Sequence, residues 1–377
     1  MATGLVLTGG GARVAYQVGV LKGVASILPR KLHNPFPIIT GTSAGAINAL
    51  SIAGRPGPFR LRIRKLETIW SNLHASDVYR TDFTGVIANA FHVMASLLNK
   101  NYAMGKPVSL LDNSPLRQLL NNYVKFNYLE TAIDNGELEG IAVTAINYAS
   151  ARSATFFQGH QGLKGWMRAR RQGHAVILNI NHLMASSAIP SLFPAVKIGE
   201  DYYGDGALRQ LKPLSPAIHM GAKKLLTIGV SHNPTKVMTD SQSQPAPSIG
   251  GILGHMLNSA FTDAMASDLE TLNSINQLID IIPEQQRDQQ GLSKLSSIEV
   301  LSITPSQSIN QIARQYLDEL PRSLKLFLRL SGNSSDTGGT SAASYLLFEP
   351  NFCTRLIDLG YQDAISQRDN IGAFFDL

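Results

Sequence analysis

Apolar residues recur along this chain with two periods, and their alternation predicts strands that feed helices. Leu5-Val6-Leu7 is a short apolar run that stops at Gly9-Gly10-Gly11; beyond it Val14, Val18, Leu21, Ala25 and Leu28 return at three- and four-residue steps. That spacing predicts a strand, a glycine turn and a helix closed by Pro29. Ile38 and Ile39 read as the end of a second buried strand, followed by a small-residue helix over 44–52. A helical pattern covers 61–98, including an apolar stripe over 83–98, and strands are predicted at 139–148 and 154–157.

The second half continues the theme. A small-residue helix over 181–189 is stopped by Pro190, and a strand is predicted at 225–230. A Pro/Ser/Gln/Thr-rich loop covers 233–248, a helix 249–282, a strand 299–303 and a helix 309–330. After a Gly/Ser/Thr loop at 331–341, closing helices are predicted over 345–359 and 363–374. Strands alternating with helices predict an α/β fold, a mainly parallel sheet covered on both faces. Residues 1–245 read as the core and 246–377 as a mostly helical part; the late strand at 299–303 predicts that both form one continuous domain.

With 377 residues, 44% of them hydrophobic, the chain can bury a sizeable core. The lone Cys353 excludes an intrachain disulfide framework. The first residues lack the basic and apolar pattern of a secretion signal, and no apolar run approaches the roughly 18–20 residues that span a bilayer. A cytoplasmic protein with at most peripheral membrane contact is expected. The net charge of +6 is uneven, with nine basic residues from Arg13 to Lys65 preceding the first acid, Glu67. Within that segment Arg60, Arg62, Arg64 and Lys65 form a run that suits weak, salt-sensitive contact with an anionic membrane, or else a solvated helix face. No zinc-finger spacing or aromatic RNA-binding pattern accompanies it, so nucleic acid is not expected.

Chemistry centres on Gly41-Thr42-Ser43-Ala44-Gly45, a G-x-S-x-G elbow between the second strand and its helix. Such a turn exposes the serine hydroxyl and sets it at a helix N-terminus, where free N–H groups favour an oxyanion. Gly9-Gly10-Gly11 could serve as an anion-binding turn. A dinucleotide fingerprint would need glycine rather than Val14 and an acid about twenty residues on, and a Walker loop would need Gly-Lys-Ser/Thr. Neither is present, which leaves an oxyanion hole working with Ser43. Asp205, between Gly204 and Gly206, is the best candidate base. A Ser-His-Asp triad ending in His219, His232 or His255 is the alternative. No clustered Cys/His spacing points to a metal, and no cofactor is expected.

Taken in order, Gly9-Gly10-Gly11-Ala12-Arg13, Gly41-Thr42-Ser43-Ala44-Gly45, the segment from Ala185 to Pro194 and Asp205-Gly206-Ala207 resemble the patatin-like phospholipases, from about position 3 to position 231. The resemblance implies a three-layer α/β/α sandwich and a Ser-Asp dyad that hydrolyses lipid acyl esters without a histidine. It implies Ser43 as nucleophile, Asp205 as base, and an oxyanion hole from Gly9, Gly10 and Gly11, with Arg13 in the usual basic position. Val14 departs from the glycine often found there. Phospholipid or another lipid ester is the implied substrate. Two other classes stay open: an acyltransferase using the same acyl-enzyme, and a non-catalytic lipid-binding protein.

Overall fold

A computed structural model describes residues 2–82, 109–231, 252, 255, 256, 258–282, 296–330 and 337–377. The expected apolar stripe at 83–98 and the loop at 233–248 lie outside the described residues.

Strand β1 (Thr3–Leu7) leads through a 3-10 turn (Gly11–Val14) into helix α1 (Ala15–Ile27). β2 (Ile38–Thr42) runs through Ser43 into α2 (Ala44–Ala53), followed by α3 (Phe59–Trp70) and the single turn α4 (Ala75–Val78). Helices α5 (Ser114–Tyr123) and α6 (Phe126–Asp134) lead to β3 (Gly140–Asn147), β4 (Arg152–Gly159) and the hairpin of β5 (Trp166–Arg168) with β6 (Arg171–Ala175). Then come α7 (Ile180–Ser186), β7 (Val196–Ile198), β8 (Asp201–Asp205), α8 (Ser215–His219) and β9 (Lys224–Ile228). The last segments are α9 (Ala264–Ile281), β10 (Glu299–Ile303), α10 (Ile309–Arg314), α11 (Arg322–Leu330), α12 (Thr337–Leu346), α13 (Pro350–Ser366) and α14 (Arg368–Phe374).

The sheet runs β10-β9-β1-β2-β3-β4-β6-β5, with β8 also paired to β3 and β7 to β8. Its first five strands are parallel, and β4 and β8 lie antiparallel to β3. Side chains alternate across a strand, so a sheet buried on both faces needs apolar residues at every position. Leu5 and Leu7 enter one core with residues of α1, α2 and α3, whereas Val6 enters the other with Ala217 of α8 and Met265 of α9. Ile39 and Ile38 divide in the same way. The chain thus forms the three-layer α/β/α sandwich expected of it.

Helix boundaries differ from the sequence reading where prolines and caps intervene. The helix expected over 309–330 is broken: α10 ends at Arg314, a 3-10 turn covers Leu317–Glu319, and α11 starts after Pro321. Proline has no N–H for the preceding turn and disfavours helical backbone before it, so it can only restart a helix. Likewise the stretch 345–359 is split, because Pro350 occupies the first turn of α13 after α12 has ended at Leu346. The loop expected over 331–341 is helical from Thr337 onward. Helix α13 runs on to Ser366, past the start at 363 assigned to the next helix. The long pattern from 61 stops at Trp70, and His74 and Asp77 then form a capping box that starts α4.

Packing of α13 on α1 is unusually close. A Cβ at Gly19 would stand 2.0 Å from the Ile357 carbonyl oxygen, and one at Gly360 2.2 Å from that of Tyr16. Tyr16 also donates its hydroxyl to Asp363 at 2.9 Å.

Candidate active site

Sheet register brings the candidate residues together. Leu7 of β1 pairs with Gly41 of β2, Thr42 pairs with Thr144 of β3, and Ala145 lies opposite Asp205 at the end of β8. Residues following β1 and β2 and the last residue of β8 therefore meet at one end of the sheet, although Ser43 and Asp205 are 162 positions apart. The Ser43 hydroxyl donates to Asp205 Oδ2 at 2.5 Å, and Asp205 Oδ1 accepts the Ala207 N–H at 2.9 Å.

Ser43 sits on a strained turn, with φ 57° and ψ −133°. Such backbone costs a non-glycine residue about 1–3 kcal/mol and persists only where its surroundings hold it. Here the Ser43 N–H donates to Ser186 Oγ at 2.9 Å, and the Ser186 hydroxyl donates in turn to the Thr144 carbonyl at 2.6 Å. Ser187 Oγ donates to the Ser43 carbonyl at 3.3 Å, and the Ala46 N–H donates to the same oxygen at 2.9 Å. The flanking glycines are required by close approach: a Cβ at Gly45 would lie 2.3 Å from the Thr8 carbonyl oxygen, and one at Gly41 2.5 Å from Ala46 Cα. Ser186 and Ser187 belong to the segment quoted for the family resemblance, but their grip on the elbow backbone is visible only in three dimensions.

The glycine loop packs against the elbow. A Cβ at Gly9 would fall 2.9 Å from Ser43 Cβ, and Gly11, at φ 53°, faces the Tyr345 carbonyl too closely for a side chain. At Gly206 a Cβ would come within 2.1 Å of the Thr144 carbonyl oxygen, which lets Asp205-Gly206-Ala207 lie flat against β3. Arg13 is buried beside the glycine loop. Its N–H closes the turn onto Gly10, and its buried guanidinium donates to Ser344 Oγ, Asn258 Oδ1 and Asn310 Oδ1 while lying 3.8 Å over the Tyr345 ring. The side chain expected beside the oxyanion instead clamps the glycine loop to the C-terminal helices.

Asp205 is buried, and burial pushes its carboxyl up to about 7 against the opposing hydrogen bonds from Ser43 and Ala207. A carboxyl with that value exchanges protons near neutrality. Of the histidines weighed for a triad, His219 bonds to Ser215 and stacks on Trp166 at 4.7 Å, and His255 lies exposed. His232 lies outside the described residues. Among the described residues no histidine bonds Ser43 or Asp205.

Ser43 lines an apolar pocket. Ala44, Ile47 and Ser51 line it along one face of α2, joined by Leu66 and Trp70 of α3, Leu116 and Leu120 of α5, and Tyr345, Leu346 and Phe348. Trp70 is fixed by its indole N–H, which donates to Asn48 Oδ1 at 2.8 Å.

The basic run divides. Arg62 is 1% exposed and donates to Glu137 Oε2 at 2.7 Å and to the Gly57 carbonyl, so it belongs to the interior and not to a membrane-facing surface. Arg64 and Lys65 are exposed. Among the described residues no helix is long and apolar enough to cross a membrane.

A family model described as patatin-like phospholipase matches residues 5–218. The chain is 27% identical over 213 residues to a cGAMP-activated phospholipase of Escherichia coli (strain TW11681), an alignment covering 54% of this chain and 51% of the relative. It thus spans about half the length of that curated relative. The crystal structure of VipD from Legionella pneumophila aligns with 98% of this chain and 67% of its own at 12% identity, with a TM-score of 0.38.

Proposed function

Because this chain belongs to the patatin-like phospholipase family, we propose that it hydrolyses lipid acyl esters through a Ser43-Asp205 dyad. The observation that carries the reading is the 2.5 Å contact between Ser43 Oγ and Asp205 Oδ2 at the mouth of an apolar cavity. A hydroxyl attacks an ester only if a base accepts its proton, and a buried carboxylate at hydrogen-bond distance is such a base.

An acyl chain lies along α2 with its carbonyl carbon at Ser43. Ser43 Oγ attacks, its proton passes to Asp205, and the carbonyl becomes a tetrahedral oxyanion. Gly9, Gly10 and Gly11 supply main-chain N–H groups to that oxyanion, helped by the positive end of α2. Collapse of the intermediate expels the alkoxide, which takes the proton back from Asp205 and leaves an acyl-serine. Water then attacks the acyl-serine, gives its proton to Asp205, and releases the fatty acid as Ser43 recovers its own. The apolar lining supports a hydrocarbon chain as the bound group, since burying one methylene contributes about 0.8 kcal/mol. Contact with an anionic membrane through Arg60, Arg64 and Lys65 would bring the cavity to its substrate.

A fluorophosphonate carrying a long alkyl chain tests the reading. Covalent label recovered on the Ser43 peptide, together with release of fatty acid from phospholipid, is expected. Label on another residue would move the nucleophile. Transfer of the acyl group to an added alcohol faster than to water would make the protein an acyltransferase, and lipid binding without label would make it a carrier.

A further inference from the structure

A second pocket, lined in part by the chain that follows the Asp205 turn, gathers four cationic side chains. Arg170 and Arg171 reach it from the β5–β6 hairpin, and Arg209 and Lys212 from the chain that follows Asp205-Gly206-Ala207. Thr155 and Gln210 add polar wall. Among the described residues Lys212 is the one of these four cations paired with an acid, at 3.2 Å from Asp268 Oδ1. The Nε atoms of Arg171 and Arg209 are buried without a hydrogen-bond partner. A buried guanidinium N–H without an acceptor is unfavourable, and crowding like charges adds to that. The field is felt nearby, for His219 is held below the usual imidazole range first by burial and then by the charges of Arg168 and Arg171.

We propose that this pocket binds a phosphate-bearing anion, with the guanidinium groups of Arg171 and Arg209 as its principal donors. Guanidinium forks match tetrahedral oxyanions, and a phosphate would satisfy both buried Nε groups and neutralise the cluster. Recognition rests on charge and not on stacking: the Trp166 ring lining the pocket is covered by Phe157 at 5.1 Å on one side and His219 at 4.7 Å on the other. The site is wired to the elbow. Gln210 accepts the Thr42 hydroxyl and donates to Thr144 Oγ1 at 3.2 Å, while the Arg209 N–H closes the turn onto Gly206. The phosphate belongs either to a lipid headgroup or to a soluble phosphorylated compound.

Thermal melting and calorimetric titration of the whole chain with inorganic phosphate and pyrophosphate test the site, with sodium chloride and acetate at matched ionic strength as controls. The wild type is expected to melt several degrees higher in millimolar pyrophosphate than in either control, and Arg171→Gln/Arg209→Gln to lose most of that shift. In phosphate-free buffer the double variant is expected to melt no lower than wild type, because it removes two buried Nε groups that have no partner. No shift in wild type, or an equal shift in both proteins, would overturn the proposal. Should the double variant fail to fold, Arg170→Gln on the exposed hairpin turn replaces it: a severalfold loss of pyrophosphate affinity is expected, and unchanged affinity overturns the site. The source of the phosphate is then read from wild-type turnover, the one arm that rests on the hydrolase reading. A changed rate on a neutral soluble ester assigns the pocket to a soluble compound, and competition seen only against phospholipid assigns it to the headgroup. Binding without turnover would leave the site standing and sink the hydrolase reading alone.

Discussion

Ser186 Oγ stands between the N–H of Ser43, 2.9 Å away, and the carbonyl of Thr144, 2.6 Å away, so one hydroxyl fixes the elbow backbone against the neighbouring strand. Replacing Ser186 by alanine removes the acceptor that holds Ser43 at φ 57°. We expect Ser186→Ala to lower kcat at least tenfold on a short-chain ester with little change in KM, since the acyl cavity is untouched. Steady-state kinetics that show a raised KM with full kcat would contradict this role.

Removal of the Ser43 hydroxyl leaves the same strained turn without the nucleophile we propose. Ser43→Ala is expected to fold and to lose ester turnover completely. Ser43→Gly should also be inactive but should melt higher, because glycine adopts positive φ without strain. Residual hydrolysis by either folded variant, measured as fatty-acid release, would place the chemistry elsewhere.

The raised Asp205 carboxyl sets two pH dependences. Its proton leaves the folded protein near pH 7 but leaves an unfolded chain near 3.8. Between those values the folded state holds more proton than the unfolded, so stability falls as pH rises through that window and stays lower above it. Each unit of difference is worth about 1.4 kcal/mol. Asp205→Asn is therefore expected to lose turnover by about two to four orders of magnitude yet to be more stable than wild type at pH 8, and to lack the fall in stability between pH 4 and 7. In wild type, kcat/KM should rise with pH through about 7 as the base form appears. Urea melts across pH and a pH–rate profile check both signs.

Ser51 lines the cavity two turns beyond Ser43 on α2, about 12 Å along the axis at 1.5 Å per residue. Ser51→Phe fills the far end of the groove. Activity on long acyl chains is expected to fall more than tenfold further than activity on short ones, read from kcat/KM over a series of ester lengths. A uniform fall would place the acyl chain outside this cavity.

Arg62 and its neighbours separate by their surroundings. Arg62→Glu strands a charge beside Glu137 in the interior, and breaking a buried pair from one side costs about 3–5 kcal/mol, so the variant is expected to melt far lower or not to fold. Arg60→Glu/Arg64→Glu should fold, and should bind anionic vesicles more weakly at low salt than wild type. Equal vesicle sedimentation would take α3 out of membrane contact.

Local chemistry made the centre of the molecule legible. An elbow, a glycine loop and an Asp-Gly turn each specify a backbone shape, and Ser43, Gly9 and Asp205 carry those shapes in adjacent residues. The inward aim of Arg62 was also readable, because Phe59, Ile63, Leu66 and Trp70 mark a buried stripe of α3 that includes position 62. Basic character alone had suggested the opposite. Pro321 likewise marked the gap between α10 and α11, although the apolar spacing ran across it. What no local pattern carries is the contact of Arg13 with Asn258, Asn310 and Tyr345, or the meeting of Arg170 and Arg171 with Arg209 around one pocket. Both join positions far apart in the sequence.

The bond between the first helix and α13 bears on how the protein is made. A nascent chain synthesised only as far as residue 330 already contains Ser43 and Asp205. It still lacks Tyr345, Leu346 and Phe348 of the cavity wall, the Tyr345 ring under Arg13, and the Ile357 and Gly360 backbone against which α1 seats. Residues 9–13 thus lack the Tyr345 contacts until that residue has been made. The cleft cannot be complete before Phe348 has been made, so a growing polypeptide carries Ser43 until then with its apolar groove unfinished.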